Sequence, residues 1–382
     1  MLYRKFGKTN EKVSILGFGC MRLPLLPGGD SSKIDEELAT KLVRYAIDEG
    51  VNYIDTAYPY HGVGMGSAGQ SEPFVGRALR DGYRQKVKIA TKLPSWLIHA
   101  PEDMDKYLNE QLARLQTDSI DFYLVHSLNA TLWKNVKEAG VISFLDRAIR
   151  DGRIKYAGFS FHEKHEHFNE IVDAYDWSFC QIQYNYMDEV YQAGKKGLLY
   201  AAKKGLGVTI MEPLRGGKLV SNLPLAVQGV FEQAEIKRTP AEWALRWVWD
   251  HPEVSVVLSG MNCMEQVVEN IKVASTAADS SLTVSEKQVI EQTKSIFQQR
   301  TKVNCTACGY CMPCPTGVNI PGCFSLYNNF YMFGREEFYG MLQPQQRASN
   351  CIECGLCETH CPQSIPIRQE LKNVKAIFEP DK

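Results

Sequence analysis

Three things are scarce in this chain: a surplus of charge of either sign, long apolar runs, and cysteine over its first three quarters. Lysine and arginine total 43 against 44 aspartates and glutamates, a net charge of −1 at pH 7. That balance offers no basic field to attract nucleic acid and no polybasic tract for an anionic membrane surface. No segment approaches the apolar length needed to cross a bilayer, and the opening MLYRKFGKTNEKVSILGFG lacks the apolar core of a secretory leader. Nucleic acid and membrane are therefore excluded as partners, and the expected location is the cytoplasm. Of twelve cysteines, only Cys20, Cys180 and Cys263 precede residue 300, which rules out a disulfide framework there.

What is present is a body large enough for a sizeable core, at 382 residues and 44% hydrophobic. Eight β-rich runs follow one another: VSILGFGCM, VNYIDTAY, KVKIATKL, SIDFYLVHS, IKYAGFSFH, SFCQIQYNY, GVTIMEPL and VSVVLSG. Each is trailed by a helical stretch, as in ELATKLVRYAIDEG, where Leu42, Val43, Ala46 and Ile47 share one face and Gly50 can cap. Alternation of this kind predicts a parallel sheet, and eight units over this length predict an α/β fold closed as a (β/α)8 TIM barrel. LYRKFGKTNEKVSI reads as a hairpin across the barrel bottom, and VSEKQVIEQTKSIFQQR (284–300) as one more helix. The expected division is a barrel over 1–298 and a smaller, mostly helical domain over 299–382.

One motif points elsewhere. GVGMGSAG contains a literal G-x-G-x-x-G at Gly64, Gly66 and Gly69. A dinucleotide-binding unit would end its next strand in an acid for the ribose, whereas KIATK ends in Lys92. The glycines are read as a mobile loop over the barrel mouth. HEKHEHF, with His162, His165 and His167, is read as a solvated helix start on the barrel exterior rather than a metal site, since no carboxylate completes it.

Active sites of such barrels lie at the C-terminal strand ends. There the sequence supplies Asp55 and Tyr60 after the second strand, Lys92 on the third and His126 on the fourth. A nearby ammonium stabilises a phenolate, a carboxylate orients the ammonium, and a neutral imidazole donates to a substrate oxygen. The set can protonate a carbonyl oxygen as hydride reaches its carbon. Taken singly, Asp55 could be a strand-end cap and His126 a satisfied core residue. DTAYPY, TKL and YLVHS together resemble the aldo-keto reductase superfamily over roughly residues 3–275, with its Asp–Tyr–Lys–His tetrad in this order. The resemblance implies catalytic roles for Asp55, Tyr60, Lys92 and His126, and a nicotinamide cofactor. It also implies cofactor contacts from Gly19, Met21 and Asp55, from Ser160 and Gln181 at the carboxamide, and from Met211 beneath the nicotinamide ring. Leu214 to Gly216 would follow the pyrophosphate, and Glu269 and Asn270 would approach the adenine. Phe161 replaces the family's asparagine and Met211 its usual aromatic. Members preferring the phosphorylated cofactor place lysine and arginine where Gly260 and Gln266 stand, so a preference for NAD(H) over NADP(H) is expected.

Nine cysteines fall between 305 and 361. CIECGLCETHCP holds Cys351, Cys354, Cys357 and Cys361 at the C-x2-C-x2-C-x3-C-P spacing of two-cluster ferredoxins. CTACGYCMPCP holds Cys305, Cys308, Cys311 and Cys314, with its last interval shortened by one residue. That resemblance implies two [4Fe–4S] clusters with crossed ligation: Cys305, Cys308, Cys311 and Cys361 for one, Cys351, Cys354, Cys357 and Cys314 for the other. The shortened interval bears on the placement of Cys314. Paired zinc sites are the plainer alternative, and Cys323 fits neither motif and reads as a buried thiol. NNFYMFGREEFYGMLQ between the runs is aromatic and helical in character.

Nicotinamide moves electrons in pairs and such clusters singly, so coupling them calls for a flavin or similar converter. No flavin fingerprint is visible, although a barrel mouth could hold one. Two functions follow. In one, the barrel interconverts small carbonyl and alcohol substrates while the clusters are structural or regulatory. In the other, the protein relays electrons between a ferredoxin-like redox partner and a substrate or flavin in the barrel.

Overall fold

The computed structural model describes residues 1–63, 66–334 and 338–380. Arg335, Glu336 and Glu337 of the aromatic segment, and Gly64 of the glycine motif, lie outside the described residues. Two compact units emerge: Met1–Gly216 with Ala241–Thr283, and Gly217–Pro240 with Val284–Lys382.

The first unit is the barrel. A two-stranded antiparallel hairpin, β1 (Tyr3–Lys5) and β2 (Lys12–Ser14), precedes eight parallel strands. These are β3 (Leu16–Gly19), β4 (Tyr53–Asp55), β5 (Lys88–Leu93), β6 (Ile120–Leu128), β7 (Ile154–Phe161), β8 (Phe179–Gln183), β9 (Gly207–Met211) and β10 (Val256–Ser259). They pair in sequence order and close through β10 on β3, with Val257 opposite Leu16. Each strand is nearly all buried, because helices cover the outside and side chains fill the inside. Helix Glu36–Asp48 shows the local rule at work. Asp35 accepts from the Leu38 N–H at 3.1 Å to cap its start, and Ala39, Leu42, Val43, Ala46 and Ile47 form its buried stripe.

The hairpin plugs the bottom of the barrel. Phe6 packs edge-on against Phe122 with ring centroids 4.6 Å apart, among Tyr53 and Phe179. Burying a ring of this size contributes about 2 kcal/mol. Arg4 donates to the carbonyls of Trp249 (2.6 Å), His251 (2.9 Å) and Val254 (2.6 Å), fastening the hairpin beneath the last helix before β10.

The second unit gathers helices Leu225–Gln233, Val284–Gln299, Ile320–Phe333 and Ile367–Phe378. Val318, Ile320, Phe324, Tyr327, Leu371 and Val374 are its apolar centre, and Cys305, Cys311, Cys314, Cys351, Cys357 and Cys361 of the two runs pack against it. Cys323 is a buried thiol within that centre. Among the described residues, no helix is long and apolar enough to cross a membrane.

Candidate active site

Lys92 is the hub of the barrel mouth. Its ammonium is fully buried near the end of β5 and donates to Thr56 O (2.7 Å), Asp55 Oδ1 (2.8 Å) and Tyr60 Oη (3.2 Å). His126, buried in β6, stands edge-on to Tyr60 with centroids 6.1 Å apart, and the Trp96 ring lies 5.1 Å beyond it. All four residues expected at the strand ends are therefore brought together. Burial lowers the affinity of Lys92 for its proton, yet Asp55 and Tyr60 outweigh it and hold the amine above its ordinary value. Burial raises the Asp55 carboxyl, with Lys92 pulling against it. For Tyr60 the net direction differs from the sequence expectation: burial raises the phenol more than Lys92 lowers it, and Asp55 and Glu212 add to the rise. His126 is pushed well below its usual value by burial, by the Lys92 ammonium and by His162. It is a neutral imidazole at neutral pH. Its Nδ1 and Asp55 Oδ2 are buried without hydrogen-bond partners among the described residues.

A strip of residues runs from this hub across the later strand ends. Ser160 Oγ accepts from the Ser127 N–H at 2.7 Å, which leaves its own hydrogen to donate. Gln181 Nε2 touches Met211 Sδ at 3.7 Å, while its buried Oε1 lacks a partner. An orphaned amide oxygen there fits the amide hydrogens of a carboxamide. Gly19 ends β3 opposite Asp55, and Met21 follows it, half exposed. Leu214 and Gly216 lie beyond β9, Gly216 at φ +64°. Gly260 directly follows β10, and Gln266 accepts from the Asn262 N–H at 3.0 Å. On helix Met264–Ala274, Glu269 is half-buried and Asn270 is buried, donating to Ser259 Oγ at 3.0 Å.

In the second unit the cysteines surround two hollows. Cys305, Cys308, Cys311 and Cys361 line one, against Phe324, Ile365 and Ile367. Cys314, Cys351, Cys354 and Cys357 line the other, and Cys311 reaches the wall of both. Thiols ringed around a hollow suit a polynuclear cluster. At Cys314 burial raises the thiol, but the Thr316 hydroxyl and the N–H groups of Thr316, Val318 and Gly317 overcome it and leave it below its ordinary value.

Residues 15–285 match the Aldo/keto reductase family. The chain belongs to that family. Residues 304–365 match the 4Fe-4S dicluster domain. Aldo-keto reductase AKR11C1 from Bacillus halodurans, in its holo form, is 26% identical with a TM-score of 0.62, over 77% of this chain and 96% of that one. The uncharacterized oxidoreductase YrpG of Bacillus subtilis (strain 168) is 27% identical over 335 residues, 78% of this chain and 96% of its own. L-galactose dehydrogenase of Arabidopsis thaliana is 27% identical over 290 residues, 70% and 86% respectively. This aldo/keto reductase is thus an oxidoreductase that carries a 4Fe-4S domain.

Three features of the reductase barrel have no local sequence signal. Behind Lys92, the fully buried Glu72 accepts from Thr91 Oγ1 (2.6 Å), Gln111 Nε2 (2.6 Å) and Arg114 Nε (2.9 Å). Arg114 also donates to Gly69 O, and Gly69 N–H donates to Tyr58 O at 2.8 Å. Residues 69–71 are therefore tied to the Tyr60 turn. His61 is the second: its Nε2 accepts from Leu23 N–H (3.1 Å) and its Nδ1 donates to Ser31 O (2.8 Å). The third is an ion pair, Arg22 with Glu212 at 3.2 Å.

Proposed function

We propose that this aldo/keto reductase interconverts a small carbonyl compound and its alcohol with a nicotinamide cofactor. A bound nicotinamide supplies the hydride or takes it up. Tyr60 is the proton donor to the carbonyl oxygen in reduction and the acceptor in oxidation. The observation that carries this is the Lys92 ammonium, poised between Asp55 Oδ1 at 2.8 Å and Tyr60 Oη at 3.2 Å. Lys92 stabilises the phenolate as the proton leaves, Asp55 fixes the ammonium, and neutral His126 orients the substrate oxygen. Ser160 and Gln181 would hold the carboxamide, Met211 the nicotinamide face, and Gly19 and Met21 the near wall. Leu214 to Gly216 would flank the pyrophosphate and Glu269 the adenine, with Asn270 fixing the end of β10. Gly260 and Gln266 bring no cation to a 2′-phosphate, which favours NADH. The test is an anaerobic substrate screen with both nicotinamides on the native chain and Tyr60→Phe. The variant should lose reduction by at least about 100-fold while binding NADH as before. Turnover retained in Tyr60→Phe would remove it from the acid role, and a tenfold kcat/KM preference for NADPH, about 1.4 kcal/mol, would reject the cofactor assignment.

The hollow lined by Cys305, Cys308, Cys311 and Cys361 would hold one [4Fe–4S] cluster. That of Cys314, Cys351, Cys354 and Cys357 would hold the other. Such clusters supply one-electron transfer when bound. The wall shared at Cys311 favours a second reading, in which this domain serves as an electron-transfer module for a ferredoxin-like partner. Bleaching of the visible absorption band on adding NADH alone, without oxygen, supports that module. An unchanged band supports a structural or regulatory role.

A further inference from the structure

The strand that carries His126 leaves the regular barrel ladder at that residue. β6 pairs with β5 as far as Val125, opposite Leu93, and β5 ends there. On its other side Val125 faces Phe159 and Leu128 faces Phe161, so His126 and Ser127 together stand opposite Ser160. A bulge of this kind re-aims a side chain out of the strand's alternation. Ser127 makes the turn at φ +55°, a conformation costly for a residue with a side chain.

Two hydroxyls hold the peptide between His126 and Ser127 in this turn. Buried Ser95, just past the strand that carries Lys92, donates from Oγ to the His126 carbonyl at 2.5 Å. The Ser127 N–H donates to Ser160 Oγ at 2.7 Å. The buried Nδ1 of the imidazole, by contrast, has no hydrogen-bond partner among the described residues. The Trp96 and Tyr60 rings, with centroids 5.1 and 6.1 Å away, flank the imidazole without the directionality of a hydrogen bond. The backbone therefore sets the direction of the His126 Cα–Cβ bond, and with it where the ring can reach. Strain kept at such a point, and fastened at both ends of one peptide, marks an arrangement that serves the chemistry.

We propose that Ser95 and Ser160 are positioning residues for His126: their hydroxyls clasp the strained peptide and so aim the neutral imidazole at the substrate oxygen beside Tyr60. The inference rests on the carbonyl reading. Ser95 acts through His126 alone. Ser160 also serves the carboxamide, so the cofactor site and the imidazole share one hydroxyl. Without Ser95 the buried His126 carbonyl loses a donor, the turn relaxes toward ordinary strand geometry, and the side chain swings away from the mouth.

Single-turnover reduction of 4-nitrobenzaldehyde by NADH, in the full chain without oxygen, tests this in Ser95→Ala and Ser160→Ala, each alone and combined with His126→Gln. Calorimetry reads NADH affinity alongside. Ser95→Ala should slow reduction about tenfold, with NADH affinity within about twofold of the native chain. Ser160→Ala should slow reduction and weaken NADH as well. Added to His126→Gln, Ser95→Ala should cost less than about twofold more, because no imidazole is left to aim. The rate loss of Ser160→Ala at saturating NADH should shrink there in part. A full tenfold loss for Ser95→Ala over His126→Gln, about 1.4 kcal/mol, would mean that the hydroxyl braces the mouth at large, and overturns the proposal. So does a Ser95→Ala rate within about twofold of native, or an equal loss of rate and NADH affinity. Those results leave the carbonyl reading intact. A native chain inert toward the aldehyde with both nicotinamides counts against that reading, and this proposal falls with it.

Discussion

At Tyr60 two influences on one phenol oppose each other. Lys92 favours the phenolate, but burial, aided by Asp55 and Glu212, favours the neutral hydroxyl and prevails. A phenol above its ordinary value of about 10 is protonated throughout the neutral range, as an acid for reduction must be. His126, held well below the ordinary imidazole value, is uncharged over the same range. The rate of carbonyl reduction should therefore show no inflection between about pH 6 and 9, and fall only above that as Tyr60 ionises. Alcohol oxidation needs the phenolate and should rise over the same alkaline span. Stopped-flow pH profiles in both directions check this, and an acid limb near pH 6.5 in reduction would place a titrating histidine in the step. That these four residues share one mouth was legible, because barrel topology gathers strand ends. The direction of the Tyr60 shift was not, because desolvation depends on everything packed around the ring.

The loop and strand that carry the tetrad are braced from behind. Glu72 has no solvent contact, and Arg114, which pairs with it, also fixes Gly69 against the Tyr60 turn. Glu72→Ala strands a largely buried guanidinium and should cost about 3 kcal/mol in denaturant unfolding of the barrel. Gly69 allows a still sharper test. A Cβ there would sit 1.9 Å from Tyr60 O, so Gly69→Ala must displace the Tyr60 backbone. Reduction should fall by about 100-fold with NADH affinity unchanged, measured as kcat against Kd. Equal losses in both would mean the whole mouth has shifted. The strands and the helix Glu36–Asp48 were readable from period and capping residues alone. The brace was not, since Glu72 draws partners from positions 91, 111 and 114, which no local pattern links.

Across the whole molecule, the cysteine runs were the most legible feature, because their spacing is itself the ligand geometry. How the runs share their ligands can be read by pairing substitutions. With crossed ligation, Cys305→Ser with Cys361→Ser removes two ligands of the same cluster and should leave about four of about eight irons. Cys305→Ser with Cys314→Ser strikes both clusters and should leave almost none; iron analysis after anaerobic reconstitution separates the outcomes. If the first pair loses all the iron and the second keeps half, each run serves its own cluster.

The ring of strands has a temporal side as well. Leu16 finds its neighbour only when Val257 has been made, so the earliest barrel strand spends most of translation with one edge bare. At ordinary elongation rates that wait is on the order of tens of seconds. A nascent chain arrested before residue 256 would therefore be an open, adhesive sheet, and its escape from aggregation would depend on whatever shields that edge during synthesis.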